Sequence, residues 1–277
     1  MTLTLERRTM KIVEPSVEVI SEMNPLKRIE LCGRVCYKSE DRITDTSAKF
    51  FVARMIRSGH TSVLEHARIK VYSKSQADEF RYLCDGVPKT RREYVYGSGG
   101  FLSEDYLTVN VRDYINAVPN STVDDIAAHE LECGYFTVRF VCDRAIANEL
   151  VRHRVFSFSQ ESTRYVSYKG GVQFVRPVPF EWATNEESAH FSMWYNAMFS
   201  AECAYRAMVS TGLTPQQARD VLPLSTKTEL VMSGLPHQWS ELLRLRLAPS
   251  AHPQMVHLMK MLVEKIPSIN PELEKAC

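Results

Sequence analysis

Apolar residues recur along this chain in two rhythms, one near 3.6 and one of two, and the alternation predicts a mixture of helices and strands. Met10 to Val13 reads as a starting strand or arm, followed by a weakly periodic segment. From Pro25 a helix is expected, because Leu26, Ile29, Gly33 and Cys36 follow at helical spacing and proline suits the first turn. Thr44 to Ser58 predicts a second amphipathic helix, with Phe51, Met55 and Ile56 inward and Gly59 as its stop. Ile69–Tyr72 and Tyr106–Val111 read as strands, and 123–132 as a polar helix. The β-branched and aromatic run from Tyr135 to Val141 predicts a strand, after which Asp143 fits a helix N-cap. Gly170-Gly171 and the Pro-rich run 176–180 predict a loop. A long helix over Ser188–Thr211 carries an aromatic stripe of Phe191, Trp194, Tyr195, Phe199 and Tyr205, which suits a core or a subunit interface. Thr214-Pro215-Gln216-Gln217 forms a capping box, Thr228–Met232 a strand, and 236–247 and 253–266 two closing helices.

Chemistry concentrates at one corner of this pattern. Ile146 and Leu150 share an apolar helix face, so the helix after Asp143 should end near Arg152–Arg154, where cations complement the negative end of the helix dipole. Val155 to Ser159 alternates and should be extended. Gln160, Ser162 and Arg164 then occupy alternate positions and should point one way. Glu149 lies one turn before Arg152 and is placed to hold it. Guanidinium, imidazole, amide and hydroxyl groups so arranged suit an anion such as a phosphate, although a solvated basic patch has the same composition.

The 277 residues suffice for one large domain or two modest ones. A formal net charge of +1 offers no global field for nucleic acid or an acidic membrane, and no apolar run approaches the roughly 20 residues of a membrane span. The first residues lack the apolar core of a signal peptide. Seven cysteines without regular spacing argue against a disulfide framework and for a reducing, cytoplasmic setting. Cys32 and Cys36 have no second Cys or His pair nearby, so no metal is expected. Neither a dinucleotide-binding glycine fingerprint nor a phosphate-binding Gly-Lys-Ser/Thr loop is present.

Arg152-His153-Arg154, seven residues, Ser162 and then Arg164-Tyr165 resemble the signature of flavin-dependent thymidylate synthases. Further blocks follow the family's order. Arg34-Val35-Cys36 resembles its Arg-Val-Ser, and Gly59-His60-Thr61-Ser62-Val63-Leu64-Glu65-His66 its flavin-holding Gly-His element, with valine where proline is common. Ala218-Arg219-Asp220-Val221-Leu222-Pro223 resembles its nucleotide-phosphate segment, and Leu243 to Arg246 with His252-Pro253-Gln254 its ending. The resemblance implies an α+β fold, a twisted, largely antiparallel sheet packed with long helices, in a single domain spanning 1–277 that assembles as a homotetramer with FAD at subunit interfaces. It implies a methyltransferase that converts dUMP to dTMP, with methylenetetrahydrofolate as carbon donor and FAD, reduced by NADPH, as hydride carrier. The protein then binds, orients and tunes charge.

The same resemblance assigns roles to residues. Arg246 is the catalytic guanidinium against the pyrimidine, where it stabilises negative charge as the ring becomes nucleophilic. Ser62, Glu65, Arg152, His153, Arg154, Gln160 and His252 belong to the cofactor. Glu149, Arg152, Gln160, Glu161, Ser162, Thr163, Arg164, Arg219 and Arg246 belong to the nucleotide, and four guanidinium groups, those of 152, 164, 219 and 246, should converge. Shorter relatives pass quickly from the Gly-His element to the strand before Arg152, so an insertion is expected around 73–132, as a surface elaboration or an extra wall over the substrate entrance. Ser159, Gln160 and Leu235 stand where relatives often have Asn, Glu and Asn; Gln160 should leave binding intact, whereas Cys36, Ser159 and Leu235 motivate an alternative, a catalytically impaired nucleotide- and flavin-binding relative. A nucleic-acid module built on Arg152–Arg164 and Lys89–Arg92 is disfavoured by the near-zero net charge. A covalent Cys mechanism is disfavoured because no Pro-Cys-His triplet occurs.

Overall fold

The computed structural model of the chain describes residues 10–72, 75–76 and 106–269. Its centre is a four-stranded antiparallel sheet in the order β2 (Ser16–Val19), β6 (Phe136–Asp143), β9 (Lys227–Gly234), β7 (Ser157–Gln160). Strand β9 is buried at every position because it lies inside the sheet with both faces covered. The alternation of the strands separates two kinds of surface. Val138, Phe140, Leu230 and Met232 face one core, which they share with Trp239, Leu242, Met255 and Leu258. Those last residues come from α9 (Pro236–Arg246) and α10 (Pro253–Lys265). The opposite face carries Thr137, Arg139, Ser159, Glu229 and Ser233, and only Val231 there joins an apolar contact, with Cys32 and Val35 of α1 (Pro25–Val35).

A second core lies under α1 and α2 (Ser47–Arg57), against β3 (Arg68–Tyr72) and β4 (Tyr106–Asn110). Asn24 caps α1 by accepting the Lys27 amide, and Gly59, at φ +73, ends the α2 region as expected. The sheet β4–β3–β5, with β5 at Glu130–Leu131, is antiparallel. A third cluster gathers Phe174, Met198 and Tyr205 beneath α7 (Ala189–Ser210), which Ser188 caps. The α+β class and the largely antiparallel pairing agree with the expectation; β1 (Lys11–Val13) and β8 (Gln173–Val175) form the one parallel pair described.

Four local expectations are corrected. The polar helix foreseen over 123–132 stops at Ala128, because Glu130 and Leu131 pair with β3 instead. The Gly- and Pro-bounded loop after Tyr165 contains β8, a strand too short to show periodicity. The helix after Asp143, α5 (Arg144–Leu150), ends before the Arg-His-Arg triplet, which lies in a turn. The chain also leaves the sheet at Gln160 and turns over 163–165, with the Val166 amide bonded to the Ser162 carbonyl at 2.9 Å. Ser162 and Arg164 therefore do not continue the alternation of β7. Lys89–Arg92 and 97–100 lie outside the described residues, as does much of the expected insertion.

Gly234 shows how closely the motif corner is packed. A Cβ there would sit 2.5 Å from two atoms of the Phe156 ring, which packs edge-on against Trp239 at 4.6 Å. Gly234→Ala is expected to cost about 1–3 kcal/mol by overpacking, and differential scanning fluorimetry should show Tm lower by roughly 2–10 °C. An unchanged Tm would show that Phe156 moves aside freely.

Candidate functional site

The corner is built by three helix ends. Asp143 caps α5 through Oδ1, which accepts the Ile146 amide at 2.9 Å, while Oδ2 accepts Gln254 Nε2 at 3.0 Å. That bond ties the start of α10, capped by His252, to the start of α5. At the far end of α5, Arg246 arrives as the last residue of α9. Its Nη1 donates to Glu149 Oε2 at 2.8 Å, its Nη2 to the Glu149 carbonyl at 3.2 Å, and its Nε to His153 Nε2 at 2.9 Å. Residues 93 and 97 positions apart thus share one hydrogen-bonded cluster. Glu149 was expected to hold Arg152. It holds Arg246 instead, because α5 ends at Leu150 and Arg152 leaves the helical face. Burial, with the Arg246 charge beside it, pushes the His153 imidazole below its ordinary value. The ring is therefore neutral at pH 7 and accepts at Nε2. Arg152 and Arg154 are exposed, and neither guanidinium donates to any described residue.

A second group forms where the chain leaves β7. The Ser162 amide donates to the Cys36 carbonyl at 3.0 Å, and its Oγ accepts the Arg164 amide at 3.3 Å. Arg164 Nε donates to Gln216 Oε1 at 3.1 Å on the short helix α8 (Pro215–Ala218), and Arg219 follows in the next turn. Gln160 Nε2 reaches Thr228 Oγ1 at 3.4 Å. Thr163 and Glu161 are buried. Glu161 is an anchor within the chain: its carboxylate accepts Tyr168 Oη at 2.6 Å and Lys227 Nζ at 3.0 Å. Arg246 bonds Glu149 and His153, whereas Arg164 bonds Gln216 beside Arg219, and among the described residues no hydrogen bond links the first group to the second.

The Gly-His element forms a 3-10 turn over Thr61–His66. Ser62 is exposed, and Glu65 accepts Arg112 Nη1 at 2.5 Å. Glu65 and Arg154 line one groove of about 360 Å³, together with Asn110, Arg112, Asp113 and Phe156. His66 is fully buried, with Nδ1 2.7 Å from Ser233 Oγ and Nε2 2.9 Å from Ser159 Oγ. His252 is exposed and meets the Phe180 ring edge-on.

A family model described as thymidylate synthase complementing protein matches residues 18–77 and 104–272, well over half of the chain. The chain belongs to the thymidylate synthase complementing protein family. Curated proteins similar to this family member carry the name flavin-dependent thymidylate synthase. One from Geobacter sulfurreducens is 38% identical over 90 residues, which cover 32% of this chain and 38% of the relative's length. One from Mycolicibacterium vanbaalenii is 22% identical over 267 residues, 89% of this chain and 78% of the relative. A probable one from Paramecium bursaria Chlorella virus 1 is 27% identical over 165 residues, 52% and 73% of the two chains. Among solved structures, a UMP/dUMP methylase from Streptomyces cacaoi bound with 5-Br UMP aligns at TM-score 0.48 and 15% identity over 95% of this chain and 94% of that one. Thymidylate synthase X from Helicobacter pylori with FAD and dUMP aligns at 0.42 and 17% over 92% and 94%.

In this member of the thymidylate synthase complementing protein family, sequence reasoning missed the charged layer beneath the motif turn. Glu229 pairs with Lys227, Lys38 and Arg139, and Lys227 also holds Glu161. Burial alone would raise the Glu229 carboxyl, but the two lysines overcome it and hold it at about 2. The available signal was Lys227 and Glu229 on alternate positions of a strand otherwise buried, where charges require partners.

Proposed function

We propose that this chain is a flavin-dependent thymidylate synthase, methylating dUMP to dTMP with methylenetetrahydrofolate as carbon donor and FAD, reduced by NADPH, as hydride carrier. The observation that carries the reading is the Arg246–Glu149–His153 cluster, in which the two motif blocks assigned to chemistry meet. Bound FAD supplies the hydride. The residues present fit such a group: Arg152 and Arg154 leave two guanidinium groups unengaged by described residues, and Ser62 and Glu65 offer a hydroxyl and a carboxylate of the kind that hold phosphate and ribityl groups. Gln160 and His252 add an amide and an imidazole.

The chain's own residues divide the remaining work. Glu149 holds Arg246 in one rotamer, so its charge needs no reorganisation when the pyrimidine develops negative charge. Ser162, Arg164 and Arg219 suit the nucleotide phosphate, and Glu161, with Thr163, fixes the turn that presents them. Large apolar side chains sit exposed beside three of these arginines: Val155 after Arg154, Tyr165 after Arg164 and Leu245 before Arg246. Exposed apolar groups next to site residues are consistent with a homotetramer in which FAD lies at subunit interfaces. Tyr37, whose ring lies 5.5 Å from Tyr165, lines a cavity of about 460 Å³ with Arg34, Lys38, Arg42, Arg54 and His60, which suits an anionic co-substrate. Free thiols suit the cytoplasm, the proposed location.

Purified protein reconstituted with FAD should absorb in the flavin region, show dUMP-dependent NADPH oxidation, and form dTMP when methylenetetrahydrofolate is also present. Nucleotide and flavin binding without dTMP would leave the impaired relative as the better description. Arg164→Ala and Arg219→Ala should each raise the KM for dUMP about tenfold or more, since one charge-assisted contact is worth roughly 1.5–3 kcal/mol, with flavin content unchanged. Steady-state kinetics beside the 450-nm absorbance decides it (a wavelength of about that value is general to oxidised flavins). Loss of flavin in step with KM would contradict the phosphate assignment.

A further inference from the structure

Two residues assigned to the flavin by resemblance, Glu65 and Arg154, are 89 positions apart and line the same groove. Its remaining polar wall comes from neither motif. Asn110, Arg112 and Asp113 supply it, from the end of β4 and the start of α3 (Val111–Ala117). These residues fall between the Gly-His element and β6, and the family match, which breaks between 77 and 104, has resumed before them. Building on the flavin reading above, we propose that Arg112 binds the FAD diphosphate, and that the end of β4 and the start of α3 form one wall of the cofactor groove.

The groove is shaped for that part of the ligand. Val155 and Phe156 give it an apolar floor, and two guanidinium groups, those of Arg112 and Arg154, border it. Arg154 has no partner among the described residues, and Arg112 spends only Nη1, on Glu65. A guanidinium has five donors in a planar fork, so Arg112 can keep Glu65 and still offer N–H groups to a phosphate. Asp113 is held by Asn110, whose amide donates to Oδ2 at 2.6 Å. Two carboxylates, Glu65 and Asp113, line the groove; Arg112 pairs with Glu65, and burial raises the Asp113 carboxyl above its ordinary value. Arg112 is exposed on the surface, so its replacement should leave folding intact.

The test is FAD affinity of the full-length protein, measured by fluorescence titration of the apoprotein, with dUMP affinity and Tm measured in parallel. Arg112→Gln should raise the Kd for FAD about tenfold, one lost charge-assisted contact, and leave Tm and the Kd for dUMP as in the parent. The Kd for riboflavin, which has no phosphate, should not change. Glu65→Gln combined with Arg112→Gln separates direct contact from charge compensation. If Arg112 touches phosphate, the double variant stays weak; recovery of parental affinity would show that Arg112 merely masks Glu65 and would overturn the proposal. An unchanged FAD Kd in Arg112→Gln, or an equal rise for riboflavin, overturns it too. If the parent protein binds no FAD at all, this proposal and the flavin reading fall together, whereas a parent that binds FAD with an indifferent Arg112 sinks this proposal alone.

Discussion

Replacing Arg246 by alanine is expected to lower kcat for dTMP formation by about 10²–10³, the effect of deleting one preorganised donor that faces developing charge. Flavin content, read from absorbance, should fall far less. The split follows from what Arg246 touches. Its three hydrogen bonds go to Glu149 and His153, so the side chain is fixed by the protein and presents its charge without rearranging. Truncation also frees the Glu149 carboxylate beside the place where the pyrimidine becomes negative, which opposes the reaction further. Arg246→Lys keeps the charge but not the planar fork, so it cannot bond Glu149 and His153 together and should recover only part of the loss. His153 gives an independent readout. The Arg246 charge helps to hold its imidazole below the ordinary value, so in Arg246→Ala the ring should titrate at higher pH, visible by NMR. A kcat within a few-fold of the parent, with flavin lost, would make Arg246 a cofactor residue and sink the catalytic assignment.

Much of this arrangement was legible from spacing alone, for reasons that differ by element. Asp143 caps its helix as expected, and the helices expected from Pro25 and over Ser188–Thr211 form there, because a cap or a first-turn proline acts within three residues and is local chemistry. Phe51 and Met55 are buried on the face that periodicity chose. What failed was non-local. The 123–132 helix lost its last turn to pairing with β3, a partner some sixty residues away. Glu149 chose Arg246 over Arg152, and the charged layer of Lys227, Glu229 and Glu161 left no mark in the periodicity. Each of these outcomes is decided by which distant strand or helix end arrives beside a charge, and one-dimensional periodicity carries no record of that. Two of the family blocks do meet, since Arg246 donates to His153 across 93 positions.

His66 should make the protein measurably weaker in mild acid. The imidazole is fully buried between β7 and β9, bonded at both nitrogens to serine hydroxyls, and burial pushes it down to about 3. One ring nitrogen donates and the other accepts, so the neutral ring satisfies both serines, and protonation would force one hydroxyl to turn from donor to acceptor and would bury a charge. In the unfolded chain the ring returns to its ordinary value near 6.5. Between pH 6.5 and about 3, therefore, the unfolded state binds a proton that the folded state refuses. The stability contributed by His66 is whole above pH 6.5 and drains away as pH falls. By pH 5 the loss is about 2 kcal/mol, from roughly 1.4 kcal/mol for each pH unit below 6.5. Glu229 adds to the decline only lower, between its ordinary value and about 2; His153, also depressed, declines in the same window, so the share of His66 is read from the difference between parent and variant. His66→Gln keeps a donor and an acceptor but does not titrate. At pH 7.5 it should be destabilised by about 1–3 kcal/mol, because one amide cannot span both serines as the ring does. At pH 5 the gap between parent and variant should narrow by about 2 kcal/mol, and urea unfolding at the two pH values measures it. A gap that stays constant would mean that water reaches the ring and that His66 titrates as an ordinary surface histidine.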